Sequence, residues 1–461
     1  MRLSLAIAAA ALLIAAPTAS ADYTGTVDSG SHTAALTGSG NPTITPSGGV
    51  LRHEPIGPGF ASDADFDSTA AGDQTVPDTG GWTLNVSGGG KDRLTVQEGE
   101  PAGPLSYAFG HTFFPGGVPC VLRDPNERGG AITFSRHPDQ ETRVCYPGGF
   151  SEVDVKAATG PVDFTVLDTE PGVALRITGG PGDDELSEAA DVPSSVEEFH
   201  NPESPVHFSG GGGEGDYLTL NDGPAKSPAT YTIADGAIRK AGLPPLLFDK
   251  TVEMLALYPQ DGPSTITMGR TAGASLQVFG GFFGQAGPDR IDATGADAPI
   301  FVTGSTGADT IHGGAFPDYL EGGGGKDVID SRDASFDQVV CDAGGATAKV
   351  DNLDRVTGCS TGKSSPPLIA LWRAAFTPKK VKRGKRLTLE VVSTAQGKVT
   401  LSFKRPKAPA FTERVKVRPG PNTIAFKPPA KLKAGRYKVS ALLRAAGGGK
   451  SRPVKLSLTV R

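Results

Sequence analysis

The chain has 461 residues, 63 of them glycine and only 7% aromatic. That length allows about two to four domains, while glycine at roughly twice its usual share and few rings argue against one large enzyme core. The net charge of −5 conceals a division: residues 362–461 hold 25 Lys/Arg and two Glu (net +23), and the first 361 hold 20 basic and 48 acidic residues (net −28), so one part attracts cations and the other anions.

Met1-Arg2 forms a short basic start, Leu3 to Ala16 an apolar run and Ala19-x-Ala21 a small-residue cleavage site. This is the pattern of a secretory signal peptide over 1–21, with the mature chain starting near Asp22. The run is too short to be a membrane anchor. No later segment reads as a transmembrane span, and the C-terminus carries no apolar tail or LPxTG sorting motif. The expectation is a secreted, extracellular protein, exported free or held at the cell surface.

Residues 22–100 read as short strands and turns, a degenerate β-repeat region in which Asp92-x-Leu94 repeats an Asp-x-aliphatic element met again below. Residues 101–178 carry alternating segments at 131–134, 142–145, 152–155, 162–166 and 173–177, a β domain with one wet face. Residues 179–279 form a mixed β region. It opens on Gly179-Gly180-Pro181-Gly182-Asp183-Asp184-Glu185-Leu186, suggests a brief helix at 192–200, and repeats a glycine run and Asp216 one residue out of phase. A turn or helix is expected at 233–240, no assignment is made over 243–258, and strands return at 265–268 and 275–279.

Between Gly304 and Asp330 the chain falls into a period of nine. Asp309, Asp318 and Asp327 recur at that spacing, each followed two residues later by Ile311, Leu320 or Ile329 and preceded by glycines. Gly-Gly-x-Gly-x-Asp-x-aliphatic-x is complete at Gly322 to Ile329. Glycines permit positive φ and close backbone approach, the aspartate and turn carbonyls offer hard oxygen ligands, and the aliphatic points into a core that one coil cannot bury alone. Glycine-rich text is more often linker, but three aspartates and three aliphatics in strict phase favour a stacked parallel β-roll over 280–360. The segment from Asp337 to Cys359 reads as its cap. Four cysteines, in a protein expected to be exported, suggest two disulfides; Cys120–Cys145 with Cys341–Cys359 is the simplest of three connectivities.

After a linker at 361–367, residues 368–461 alternate in about seven short strands separated by Gly/Pro turns, with Lys and Arg at most outward positions. The fold class is thus mostly β: parallel β-roll or solenoid repeats, a β-rich N-terminal region and a C-terminal immunoglobulin-like β-sandwich.

The repeat text GGPGDDELS (179–187), GADTIHGG (307–314) and GGGGKDVID (322–330), with the Asp337-x-Val-x-Cys and Asp354-x-Val-x-x-Cys ending, resembles secreted hemolysin-type (RTX) calcium-binding repeat proteins. The last part resembles a bacterial immunoglobulin-like module. The first resemblance implies Ca2+ as cofactor and calcium-dependent folding after export; it does not imply toxin activity. Nine residues make half a coil, so partners on one edge lie eighteen apart. Asp309 and Asp327 form such a pair. Asp318 meets Ile300 and Phe336 at that spacing, with Asp297 and Asp337 as nearby substitutes. The candidate metal set is Gly307, Asp309, Gly314, Asp318, Gly323, Gly325 and Asp327, with Gly180, Gly182 and Asp184 upstream.

No catalytic set is expected. None of the seven histidines begins an HExxH, and no GxSxG or P-loop is present. His312 reads as a solvated side chain. Asp183, Asp184 and Glu185, or Asp289 and Asp292, resemble paired acids of glycosidic chemistry, but both sets lie in repeat text. The leading reading is an extracellular calcium-binding structural or adhesive protein; the alternative is a secreted polysaccharide-acting enzyme, lyase or glycosidase, that carries the roll. Lys379, Lys380, Lys382, Arg383, Lys385 and Arg386 form the densest basic cluster. It is either a solvated face or a surface for an anionic cell-wall polymer or polysaccharide; nucleic acid is not expected as a physiological partner.

Overall fold

The computed structural model describes residues 22–99, 105–111, 118–124, 142–158, 161–189, 203–222, 227–271, 274–280, 287–304, 306–342, 345–361, 369, 371–382, 385–405, 410–427 and 432–461. The signal-peptide reading, the strand expected at 131–134 and the helix expected at 192–200 lie outside them. Among the described residues the chain is strand and turn with no helix. No helix there is long and apolar enough to cross a membrane.

Strands from Asp22 to Thr361 join in one mixed sheet of 28 strands. Its pairing follows two ladders. One begins at Leu105–His111 and climbs by parallel pairing through Val162–Val166, Glu185–Ala189, Tyr217–Asn221 and Met254–Tyr258. It continues through Ser275–Phe279, Ile300–Thr303, Tyr319–Glu321 and Gln338–Val340 to Arg355–Thr357. The other starts at Thr33–Ser39 and passes through Thr83–Gln97, Thr142–Lys156, Ala174–Thr178 and Val206–Ser209 to Leu246–Phe248. There the antiparallel strand Ala237–Lys240 links it to Ala229–Ala234. The ladder then resumes in parallel through Ser264–Met268, Arg290–Asp292, Thr310–His312, Val328–Asp330 and Thr347–Lys349 to Ser360–Thr361. The segment 233–240, read as a turn or helix, is therefore a hairpin: Ile233 faces Ile238 across the turn, and both are buried.

From Arg290 on, most strands shrink to three residues whose middle side chain alone is buried. Side chains alternate across a strand, so a three-residue strand offers one inward position. Parallel register stacks these positions into columns: Ile266, Ile291, Ile311, Ile329 and Ala348 in one ladder, and Val278, Val302, Leu320, Val339 and Val356 in the other. All but Val356, which is partly buried and packs against it, belong to a single apolar cluster that runs from Tyr23 to Val350. On the outward side Tyr258, Phe279, Phe301 and Tyr319 stack ring on ring, with centroids 4.9, 5.6 and 4.6 Å apart, a cross-strand ladder that ties successive coils together.

Both local disulfides are formed, Cys120–Cys145 between adjacent antiparallel strands and Cys341–Cys359 at the end of the stack. Residues beyond 370 build a three-stranded sheet (Leu371–Thr377, Leu387–Ser393, Gly420–Phe426) and a five-stranded sheet (Lys380–Val381, Val454–Val460, Gly435–Ala445, Gly397–Lys404, Phe411–Val417). They enclose a separate core around Leu389, Leu401, Phe403, Leu443 and Leu458.

Candidate metal centre

Each repeat places its aspartate at the last turn position, one residue before a three-residue strand. The side chain folds back along the stack and caps a backbone N–H of the preceding coil. Ser264 N–H donates to Asp289 Oδ1 (2.7 Å), Asp289 N–H to Asp309 Oδ1 (2.7 Å) and Asp309 N–H to Asp327 Oδ1 (3.0 Å). On the other edge Ile300 N–H donates to Asp318 Oδ1 (3.1 Å), Asp318 N–H to Asp337 Oδ1 (2.9 Å) and Asp337 N–H to Asp354 Oδ1 (3.3 Å). These turns would otherwise leave buried donors unpaired. One carboxylate oxygen of each therefore serves a neighbouring backbone N–H; the second is buried without a hydrogen-bond partner on Asp327 and Asp337, and hydrogen-bonded on Asp318 and Asp354.

The expected eighteen-residue pair, Asp309 and Asp327, is brought together in this way. Gly307 and Gly325 stand on facing turns so close that a β-carbon at Gly325, whose φ is +153°, would collide with the Gly307 carbonyl. Gly323 takes φ +73°, and a β-carbon on Gly322 would sit 2.6 Å from Asp327 Oδ2. The Asp327 carboxylate is 1% exposed, and its Oδ2 is buried without a hydrogen-bond partner.

Asp318 has both oxygens engaged, because Gly314 N–H donates to its Oδ2 at 2.7 Å. The two positions eighteen residues away behave differently. Ile300 contributes its backbone N–H, and the place of Phe336 is taken by Asp337, since the turn 331–337 is one residue longer than its predecessor. Asp297 takes no part: its Oδ1 accepts from Thr271 N–H at 2.7 Å, and Arg270 lies 3.8 Å from its Oδ2.

The segment Gly179 to Leu186 is stacked on its neighbours in the same way. Val162 N–H donates to Asp184 Oδ1 (2.7 Å), Asp184 N–H to Asp216 Oδ1 (2.8 Å) and Asp216 N–H to Glu253 Oε2 (3.0 Å). Oδ2 of Asp184 and of Asp216 are buried without partners. The facing turns touch: Gly212 N–H donates to Gly180 O at 2.9 Å, and a β-carbon at Gly213 would strike the Gly182 carbonyl. Asp183, by contrast, is spent on the turn, accepting from Glu214 and Gly215 N–H at 3.0 and 3.1 Å. The Asp292 Oδ1 is likewise bound to Thr294 Oγ1 at 2.7 Å.

Burial raises these carboxyls. Asp184, Asp289 and Asp318 are pushed up to about 7, with desolvation the largest cause in each and a neighbouring aspartate adding to it. Asp216 and Asp327 move in the same direction for the same first reason. Buried carboxylates with an idle oxygen need a proton or a cation. Oxygen donors alone, from carboxylates and from turn carbonyls facing the next coil, suit a hard divalent ion such as calcium. Asp333 was absent from the sequence-derived set. It is 1% exposed in the lengthened turn, and its ligand oxygen lies within 4.8 Å of those of Asp318 and Asp337. No period of nine points to it.

Among protein-family models, the RTX calcium-binding nonapeptide repeat (4 copies) matches residues 303–333. No curated protein and no solved structure matches the chain. The stretch that carries Asp309, Asp318 and Asp327 is therefore an RTX-type calcium-binding repeat region, and calcium is the ion its turns are built for.

Proposed function

We propose that the protein is an exported calcium-binding scaffold, structural or adhesive, whose two parallel ladders form a β-roll that tightens when Ca2+ enters its turns. The observation that carries this reading is the idle, buried carboxylate oxygen that recurs on Asp184, Asp216 and Asp327. Each carboxylate already bridges two coils through its other oxygen, so an ion bound at the idle one neutralises repulsion along the edge and joins the same coils a second time. The ligands at these turns are Asp309 and Asp327 with the Gly307, Gly323 and Gly325 turns, and Asp184 with Gly180 and Gly182. Few charged oxygens in extracellular turns give an affinity of about 10⁻⁴ to 10⁻³ M. Circular dichroism of the chelator-treated full chain should gain β signal across that range; a spectrum indifferent to calcium up to roughly 20 mM, well above that range, would overturn the reading.

The last hundred residues fit an immunoglobulin-like sandwich on their pairing, and their charge favours an anionic partner. Lys398, Lys416, Arg414, Arg418 and Arg444 line an open groove of about 860 Å³ on the five-stranded sheet. Concentrated like charge in a concave surface raises the local concentration of the opposite charge. The full chain should be retained on an immobilised anionic polysaccharide at low ionic strength and released as salt shortens the screening length. Retention unchanged by salt, or none at low salt, would count against this role.

A further inference from the structure

We infer that Asp318, Asp333 and Asp337 form a separate, carboxylate-rich site for one calcium ion, which locks the last repeat coil to the disulfide-bonded cap. The three side chains come from two successive turns on one edge, and each is 4% exposed or less. One ligand oxygen from each lies within 4.8 Å of the other two. Calcium binds oxygen at about 2.3–2.6 Å, so one ion between them reaches all three; magnesium, at about 2.0–2.1 Å, needs a tighter triangle.

The second observation is the state of the oxygens. Asp333 Oδ1 accepts from Ser335 N–H at 2.6 Å and Asp337 Oδ1 from Asp318 N–H at 2.9 Å. The Oδ2 of each is buried without any hydrogen-bond partner, whereas Asp318 accepts from Ile300 and Gly314 N–H and has only its remaining lone pairs to offer. An unpartnered carboxylate oxygen in the interior is costly, and the adjacent cation, Arg332, is paired with Asp330 at 2.6 Å. A layer behind them holds the turn in place. Asp351 Oδ2 accepts from Ala334 N–H at 2.9 Å, Asp354 Oδ2 from Ser331 Oγ at 2.8 Å, and Ala334 is held at φ +77°, an unusual conformation for a residue other than glycine. A cavity of about 50 Å³ borders Asp333, lined also by Ser331, Gly313, Gly314, His312 and Arg332.

This site differs from the glycine turns in donor count. Three buried carboxylates replace one or two, and affinity rises with ligand charge and rigidity. It also sits where the repeat ends: Asp337 leads directly into Gln338–Val340, and the next residue is Cys341 of the disulfide to Cys359. Filling it fixes the cap before the weaker turns fill. The inference rests on the calcium reading above only for its choice of ion.

Calcium alone, titrated calorimetrically into the chelator-treated full chain, tests it. The wild type should give two classes of site, the tighter at least tenfold below the weaker in Kd. Asp333→Asn should abolish the tight class and leave the weak one, whereas Asp309→Asn should reduce the weak class and leave the tight one. Two classes that respond only to Asp309→Asn would overturn this site and spare the repeat. Weak sites missing from the wild type while the tight class persists would do the reverse. Should Asp333→Asn fail to fold, terbium soaked into wild-type crystals decides: an anomalous peak bonded to all three carboxylates supports the site, and its absence in crystals that bind terbium elsewhere refutes it.

Discussion

At the scale of single residues, the repeat motif is a division of labour within one carboxylate. Asp309 Oδ1 and Asp327 Oδ1 each take a backbone N–H from the coil before, a job the sequence motif does not announce because any turn acceptor would fill it. Glycine at 325 answers to a different force, the approach of the Gly307 carbonyl. Gly325→Ala must move one turn away from the other and should cost on the order of 2 kcal/mol or more, since it combines overpacking with a positive φ; a melting temperature equal to wild type would contradict this. The carboxyls also set a pH trend. Asp184, Asp289 and Asp318 sit at about 7 in the folded chain, against about 3.9 when unfolded. The folded state then holds more protons between those limits, so its stability without calcium falls as pH rises from about 4 to about 7. Chelated protein should melt at a higher temperature at pH 5 than at pH 8; the opposite order would refute the assignment. Calcium, which needs the ionised form, should erase or reverse the difference.

At the scale of elements, each three-residue strand contributes one buried aliphatic, and the column matters more than its members. Ile329 is fully buried between Ile311 and Ala348. Ile329→Ala should cost about 2–5 kcal/mol, whereas Val328→Ala on the half-exposed side of the same strand should cost much less; equal losses in denaturant titration would mean that the column is not the core. This part of the fold was legible in the sequence because spacing and chemistry agree: Asp309, Asp318 and Asp327 keep step with Ile311, Leu320 and Ile329. What hid the rest was irregular coil length. Asp184 meets Asp216 32 positions on, and Leu218 pairs with Leu255 37 positions on. Longer connections, one of them carrying the hairpin Ala229–Lys240, erase the period while leaving the register intact. Asp333 escaped for a smaller reason: one extra residue in the turn 331–337 moved the acid off the repeat position and brought Asp337, not residue 336, opposite Asp318.

At the scale of the molecule, the mixed sheet from Asp22 to Thr361 is long and acidic, and the two sheets beyond it are basic. A parallel stack makes contacts chiefly between neighbouring coils, so its stability is close to a sum of coils and junctions. Ions at the junctions therefore act on the whole. On the calcium reading proposed above, this stack needs a divalent cation at its carboxylate edges. Thermal unfolding of the full chain at pH 7.5, in chelator and then in calcium, decides whether it does. A single site filled to about 100 times its Kd adds roughly 2.7 kcal/mol, so the melting temperature should climb steadily with calcium through the millimolar range and climb far less with magnesium. Melting curves that coincide in chelator and in 10 mM calcium, about ten times the weakest Kd expected for such turns, would contradict it.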